Sequence, residues 1–210
     1  MQIELNKIGK RYNREWVFKD LNHIFSEKTS TAVIGSNGSG KSTLIKILSA
    51  AELPSSGELF ISTSEKVNVP LNEAYSHINI SAPYIDLPEQ LSTLELIKFH
   101  LSFKSFIGSL SIDEFLKLIF LEDSKDKLIK NFSSGMKQRL KLGLSICTKS
   151  SILLLDEPCS NLDQKGIAMY HLLMEKFNQN RTIIIGSNEQ ETELFNVQKT
   201  INIMDFKPIN

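Results

Sequence analysis

A glycine-rich segment at residues 31–43 reads Thr31-Ala32-Val33-Ile34-Gly35-Ser36-Asn37-Gly38-Ser39-Gly40-Lys41-Ser42-Thr43. Residues 35–42, which Thr43 follows, match the pattern G-x-x-x-x-G-K-[ST]. A β-branched segment precedes this loop, and Leu44, Ile47, Leu48 and Ala51 after it fall on one helical face. Glycines between a strand and a helix allow several backbone N–H groups to converge on phosphate oxygens. The segment therefore predicts a phosphate-binding loop at the start of a helix.

Two side chains of this loop have specific uses in binding a nucleotide. Lys41 can reach the β- and γ-phosphates, and the Ser42 hydroxyl is a suitable ligand for Mg²⁺. The residues that we predict to contact the nucleotide here are Gly35, Ser36, Asn37, Gly38, Ser39, Gly40, Lys41, Ser42 and Thr43.

Strands and helices alternate along most of the chain. Strands are predicted at Gln2–Ile8, Trp16–Phe25, Thr31–Ile34, Glu58–Ser62, Ile152–Leu155 and Thr182–Ile185. Helices are predicted at Lys41–Ala51, through most of Leu91–Asp126, from Ser133 to about Cys147, and around Gln164–Phe177. Such alternation implies a mostly parallel sheet covered on both faces, so the predicted fold class is α/β.

Two acids follow the apolar run Ile152-Leu153-Leu154-Leu155, which is typical of a strand buried on both faces. In open α/β sheets, ligands bind beyond the carboxyl ends of the strands. Asp156 can hold Mg²⁺ there, directly or through water. Glu157 is placed to orient and deprotonate a water that attacks the γ-phosphate. These residues predict a hydrolytic site with Glu157 as its catalytic group.

A third motif, Phe132-Ser133-Ser134-Gly135-Met136, lies between the loop and the acids. It resembles, in altered form, the signature Leu-Ser-Gly-Gly-Gln of the nucleotide-binding subunits of ABC transporters, and the whole chain is similar to that family. The resemblance implies ATP as ligand with Mg²⁺ as cofactor. It also implies a P-loop NTPase core with a mostly parallel sheet and an N-terminal antiparallel β subdomain. A helical subdomain inserted at about 84–150 completes a single ABC-type ATP-binding domain at 1–210.

The resemblance assigns roles to further residues. In this family two subunits face each other, and the signature of one closes over ATP held by the other. The residues expected to act in that way are Ser133, Ser134, Gly135 and Met136. Asp163 resembles the D-loop aspartate, which communicates between the subunits. Tyr12 resembles the aromatic residue that stacks on adenine; Trp16 is the alternative for that role, and packing in the core is the alternative for Tyr12.

Two positions depart from the family pattern. The family usually has a glutamine near Ala82-Pro83, and neither side chain here can bind Mg²⁺ or water. The family histidine is replaced by Asn188, which can hydrogen-bond the γ-phosphate but cannot take up a proton near neutral pH. Because Glu157 is retained, we predict slow hydrolysis of ATP. The alternative is a regulatory cassette that binds ATP and turns over poorly.

The composition limits the class of partner. Lysine and arginine total 24, as do aspartate and glutamate, and this balance argues against binding of nucleic acid through a basic face. No run approaches the roughly 18 apolar residues that span a bilayer, so no direct membrane span is expected. The expected partners are a second copy or paired cassette, and a separate transmembrane subunit. The expected location is cytoplasmic, on the inner face of the cell membrane through that subunit.

A turn-prone apolar stretch offers a docking surface for such a subunit. Tyr84, Ile85, Leu87 and Pro88 lie where the family receives a short coupling helix from the membrane protein. The alternative is that these side chains pack within the protein. The alternative function is that of a single-cassette soluble ABC-type ATPase that takes no part in transport.

Overall fold

The computed structural model describes residues 1–178 and 180–208. The strands are β1 (Gln2–Tyr12), β2 (Glu15–Phe25), β3 (Ser30–Ile34), β4 (Ser56–Ser62), β5 (Asn68–Val69), β6 (Ile78–Ser81), β7 (Ile152–Asp156), β8 (Thr182–Ser187) and β9 (Lys199–Asn202). The α-helices are α1 (Lys41–Leu48), α2 (Thr93–Leu101), α3 (Ile112–Leu118), α4 (Ser134–Cys147) and α5 (Gln164–Phe177).

The chain divides into two compact units. The first holds Met1–Ile80, Ser150–Glu157 and the chain from Asn180 onward. The second holds Ser81–Lys149 and the chain from Pro158 up to that last segment. The first unit contains nearly all of both sheets together with α1, and the second contains α2 to α5. The assignment of 1–210 to a single domain, with a helical subdomain at about 84–150, stays a prediction.

The strands form two sheets. One sheet has the order β2-β1-β4-β5, and its pairs are antiparallel, with Ile3 opposite both Phe25 and Ile61. The other has the order β6-β7-β8-β3-β9, with parallel pairing of β7, β8, β3 and β9. The predicted mostly parallel sheet and the predicted N-terminal antiparallel sheet are therefore confirmed.

The core of the first unit fixes where the strand ends lie. Ile152 and Leu154 of β7 are fully buried, as is Val33 of β3, because a parallel strand covered on both faces is apolar along its length. Leu44 and Ile45 of α1 belong to the same cluster. Each such side chain contributes about 1.5–3 kcal/mol when fully buried. The residues that follow β3, β7 and β8 are thus held at one edge of a rigid sheet.

The observed ends of the helices correct two predictions. The predicted helical stretch Leu91–Asp126 is divided, because Ser92 and Ser111 each begin a separate helix with a reciprocal capping box. The first helix ends at Leu48 rather than Ala51, because Ala50 has a left-handed backbone with φ of 58°. In the described part of the chain, no helix combines the length and the apolar character needed to cross a bilayer.

Candidate nucleotide-binding site

The phosphate loop leads directly into an uncapped helix. Gly40, the residue before α1, has φ of 109°, and a Cβ there would lie 2.5 Å from Cγ1 of Val17. Only glycine therefore fits this position without strain. No side chain caps the first turn of α1, so its N–H groups are available to an anion. The described geometry provides the backbone donors that a phosphate requires.

Lys41 lies buried at the centre of this loop. Its ammonium donates to the carbonyl oxygens of Gly35, at 2.8 Å, and Ser36, at 3.0 Å, and also to Oδ1 of Asn188. Burial lowers the pKa of Lys41, while the carboxylates of Glu157 and Asp156 act in the opposite direction. The loop thus holds the ammonium of Lys41 close to the backbone N–H groups that are available to phosphate.

Asn188 connects Lys41 to Glu157. Its Nδ2 donates to Oε1 of Glu157 at 3.2 Å, while its Oδ1 accepts from Lys41. Glu157 itself has a left-handed backbone, with φ of 45°, and its N–H donates to the carbonyl of Gly186 at 2.9 Å. Backbone strain of this kind clusters at functional sites. The structure therefore brings together Lys41, Glu157 and Asn188, which come from three separate parts of the sequence.

The carboxylate of Asp156 is a suitable ligand for a divalent cation. Its side chain is fully buried, and among the described residues neither carboxylate oxygen has a hydrogen bond of normal geometry. Burial raises the pKa of Asp156, and the nearby Ser42 hydroxyl lowers it only in part. A Cβ on Gly186 would lie 2.7 Å from Oδ1, so glycine there makes room for the carboxylate. The carboxylate and hydroxyl oxygens are ligands that Mg²⁺ prefers, and these residues fit that ion.

Both candidate aromatic residues lie beside the phosphate loop. Tyr12 and Trp16 line a cavity of about 610 Å³ together with Gly38. Tyr12 is 47% exposed, so the alternative that it packs in the core is wrong. An exposed aromatic face next to this loop suits a nucleotide base.

The signature and D-loop residues are at the starts of two helices in the second unit. Ser133 caps α4, where its Oγ accepts from the N–H of Met136 at 3.2 Å. Ser133 and Ser134 are exposed, and Gly135 and Met136 are half-buried. Asp163 caps α5 by accepting from the N–H of Gly166 at 2.8 Å. These exposed helix starts are where a second chain can reach them.

Two side chains of α4 make contacts in the second unit that no sequence motif predicts. Nε2 of Gln138 donates to the carbonyl of Pro158 at 3.0 Å, and Nζ of Lys141 donates to the carbonyl of Ala82 at 3.0 Å. Gln138 lies off the apolar stripe of Met136, Leu140, Leu144 and Cys147, so the sequence pattern gave no signal for its burial. Ala82 is buried and Pro83 is exposed, and neither offers a side-chain amide.

A parallel sheet with a phosphate loop after β3 and an acidic pair at the carboxyl end of β7 defines the class as a P-loop nucleotide-binding cassette. A family model described as ABC transporter matches residues 18–160, which is more than half of the chain. The chain belongs to this family, and it is an ABC-type ATPase.

Known relatives cover most of the chain. The uncharacterized ABC transporter ATP-binding protein YybJ of Bacillus subtilis (strain 168) is 30% identical over 190 residues, which are 90% of this chain and 86% of that protein. The energy-coupling factor transporter ATP-binding protein EcfA1 of Thermotoga maritima is 32% identical over 197 residues, 91% of this chain and 74% of that protein.

A solved structure shares the fold. It is the dimeric ATP-binding cassette MJ0796 in a post-hydrolysis state bound to ADP and Pi, with a TM-score of 0.82. The match covers 99% of this chain and 97% of that one at 22% identity. At 22% identity, this similarity supports the fold assignment alone.

Proposed function

We propose that this chain is the ATP-hydrolysing subunit of an ABC transporter and that it works by ATP-driven dimerisation. The observation that carries the proposal is the connected set of Lys41, Asn188 and Glu157 beside the orphaned carboxylate of Asp156. Binding of phosphate, binding of a cation and activation of water need these groups at one edge of one sheet.

In the proposed mechanism, backbone N–H groups of residues 35–43 bind the phosphates of ATP. Lys41 exchanges its carbonyl partners Gly35 and Ser36 for phosphate oxygens, since a charge-assisted hydrogen bond to phosphate is stronger. Ser42 and Asp156 would hold Mg²⁺, which would supply positive charge to offset the charge that develops on the phosphates.

Glu157 is the proposed general base. Its carboxylate orients and deprotonates the water that attacks the γ-phosphate. Asn188 donates a hydrogen bond to this carboxylate and so limits its rotation. Asparagine has no basic nitrogen, and Ala82 and Pro83 have no side-chain oxygen for water or Mg²⁺. We therefore expect slow hydrolysis.

Steady-state release of phosphate tests the proposal. The wild-type chain is expected to release phosphate at least about a hundredfold faster than Glu157→Gln, which is the range for loss of a general base. Equal rates for the two proteins, in preparations that both bind ATP, would instead support a second candidate, a regulatory cassette that turns over poorly. The replacement of the family histidine by Asn188 is the observation that favours that candidate.

The proposed partners are a second cassette, either the same chain or a paired one, and a transmembrane subunit. The signature residues at the exposed start of α4 are proposed to cover ATP on the partner cassette. In the second unit, Ile85 and Leu87 are half-buried and line a cavity of about 410 Å³ with Lys137 and Lys141. We propose that the transmembrane subunit docks there and holds the cassette on the cytoplasmic face of the membrane.

Co-purification separates this function from that of a soluble ABC-type ATPase. The full chain, expressed with its own neighbouring genes and extracted in detergent, is expected to purify with an integral membrane protein. Charge reversal at Lys137 is expected to weaken that association, whereas charge reversal at exposed Lys98 is the matched control. Purification of the chain without a membrane protein would favour the soluble ATPase.

A further inference from the structure

The hydroxyl of Tyr12 is tethered to a carboxylate that follows the phosphate-loop helix. It donates to Oε1 of Glu52 at 2.7 Å. Nζ of Lys10 contacts the same oxygen at 2.8 Å and donates to the carbonyl of Leu53, also at 2.8 Å. We call Lys10, Glu52 and Tyr12 the tyrosine tether. It joins β1 to the segment directly after α1 within the first unit.

The protonation states of the tether match its hydrogen bonds. Burial opposes ionisation of Glu52, but the bonds from Lys10 and Tyr12 outweigh it, so the pKa of Glu52 is lower than usual. Burial, and then the neighbouring Glu52, raise the pKa of Tyr12, and its phenol stays protonated. The side chains of Lys10 and Glu52 are only 13% and 21% exposed, which limits competition from water.

The tether holds the Tyr12 ring beside the phosphate loop. The Thr43 hydroxyl, in the first turn of α1, also interacts with the phenol. The ammonium of Lys10 lies 5.2 Å from the ring centroid. Nearly half of the Tyr12 side chain remains exposed, toward a cavity that Gly38 also lines. Its polar end is thus fixed while part of its surface stays open to a ligand.

Trp16, the other aromatic residue of this cavity, has cationic neighbours instead of a tether. The guanidinium of Arg11 and the ammonium of Lys19 each lie 5.5 Å from its ring centroid. Lys10 approaches the Tyr12 ring in the same way, so cations alone do not distinguish the two rings. The hydrogen bond from the Tyr12 hydroxyl to Glu52 has no counterpart among the described contacts of Trp16, and it favours Tyr12 as the residue that stacks on the base.

We propose that Glu52 is a positioning residue that, together with Lys10, fixes the Tyr12 ring as a platform for the adenine of ATP. The inference rests on the proposed function, because ATP must be bound at the phosphate loop. A tyrosine side chain whose hydroxyl makes no hydrogen bond can rotate. It loses this freedom when a base stacks on it, and the loss of entropy weakens binding. A ring held by its hydroxyl has already lost this freedom. Glu52 itself does not touch the nucleotide.

Isothermal titration with Mg·ATP and with Mg·tripolyphosphate, which has no base, tests the inference. The proteins are full-length wild type, Tyr12→Phe, Glu52→Ala and Glu52→Gln, with Glu65→Ala as the control at an exposed carboxylate outside the tether. Tyr12→Phe keeps the ring and removes only the hydrogen bond from its hydroxyl to Glu52. It therefore still tests the inference if Glu52→Ala folds poorly.

Tyr12→Phe and Glu52→Ala are each expected to weaken binding of ATP by about fivefold to tenfold, a part of what stacking on one base contributes. Binding of tripolyphosphate is expected to stay at the wild-type value. Glu52→Gln is expected to fall between wild type and Glu52→Ala, because its amide oxygen still accepts from Tyr12. The double variant of Tyr12→Phe and Glu52→Ala is expected to be no weaker than either single one, since both break the same bond.

Three outcomes would overturn the inference. One is that Glu52→Ala and Tyr12→Phe bind ATP as tightly as the control Glu65→Ala does. Another is an equal loss for ATP and tripolyphosphate, which would mean that the tether supports the phosphate loop instead of the base. Absence of ATP binding in the wild type would overturn the proposed function, and this inference with it.

Discussion

Asp156 is a buried carboxylate whose oxygens have no hydrogen bond of normal geometry among the described residues. Burial raises its pKa above the ordinary value. The unfolded chain therefore releases this proton at a lower pH than the folded chain. Its favourable contribution to folding is present below the unfolded pKa and is lost as pH rises through the folded pKa. A bound cation would favour the ionised form and offset that loss.

Asp156→Asn is expected to raise the midpoint of thermal unfolding of the nucleotide-free protein at pH 7.5, because burial opposes ionisation of this carboxyl more than Lys41 favours it. The same change is expected to abolish the further stabilisation by ATP that depends on Mg²⁺. Differential scanning calorimetry with and without Mg·ATP checks both effects, and Asp123→Asn at an exposed position is the control. A variant that is less stable than wild type, yet still gains stability from Mg·ATP, would contradict this role of Asp156.

How much of the site can be predicted from sequence depends on the range of each contact. The loop 35–43 and the pair Asp156-Glu157 were predictable because each is contiguous and follows a recognisable strand. The contact of Lys41 with Asn188 joins residues 147 positions apart, and no local pattern encodes it. Glu52 was missed for the same reason, because its bond to Tyr12 spans 40 positions.

Helix starts are the element-scale features that serve both folding and function. Ser133 and Ser111 cap α4 and α3, each accepting a bond from the backbone N–H three residues later, and Ser111 has in addition a reciprocal capping box with Glu114. Only α4 begins in the segment that resembles the family signature. The two serines therefore form a matched pair that separates helix stability from ATP turnover.

Ser133→Ala and Ser111→Ala are each expected to lower the free energy of unfolding by about 1 kcal/mol, as loss of a cap does. Only Ser133→Ala is expected to reduce the steady-state release of phosphate by more than its effect on folding explains. Urea unfolding and phosphate release, measured on both variants, check this. Equal turnover in the two variants would remove Ser133 from the proposed contact with the partner's ATP.

Some helices and strands could be predicted from the sequence, and others could not. The predicted helix Gln164–Phe177 has the bounds observed for α5, because a long apolar stripe follows the Asp163 cap. The strands β5, β6 and β9 were missed because they have only two to four residues, too few for a local pattern to stand out. Their place in the sheets is set by pairing with distant strands, which a local pattern does not reveal.

At the scale of the whole molecule, the proposed function needs two cassettes. The chain has a formal net charge of +0 at pH 7, so long-range repulsion does not oppose approach of a second copy. ATP held at residues 35–43 of one chain is proposed to contact the start of α4 in the other. Hydrolysis per chain must then depend on how much of the protein is dimeric.

Phosphate release per chain is expected to rise with protein concentration and to level off once ATP-bound dimers predominate. Glu157→Gln is expected to accumulate such dimers in ATP, because the nucleotide that holds them is not hydrolysed. Light scattering coupled to size exclusion measures the dimer, and a dilution series measures the rate. A rate per chain that stays constant while the protein remains monomeric would contradict the proposed dimer.

The central claim is that ATP is bound at the phosphate loop by the ammonium of Lys41 and a cation at Asp156. Titration calorimetry of ATP in the presence and absence of Mg²⁺, on wild type and Lys41→Ala, tests it most directly, with Lys98→Ala as a control for loss of one positive charge. We expect binding of ATP to depend on Mg²⁺ and to weaken by about tenfold to a hundredfold in Lys41→Ala alone, the range for loss of a hydrogen bond to a charged group. Wild-type protein without affinity for Mg·ATP, or with an affinity that Lys41→Ala leaves unchanged, would contradict the claim.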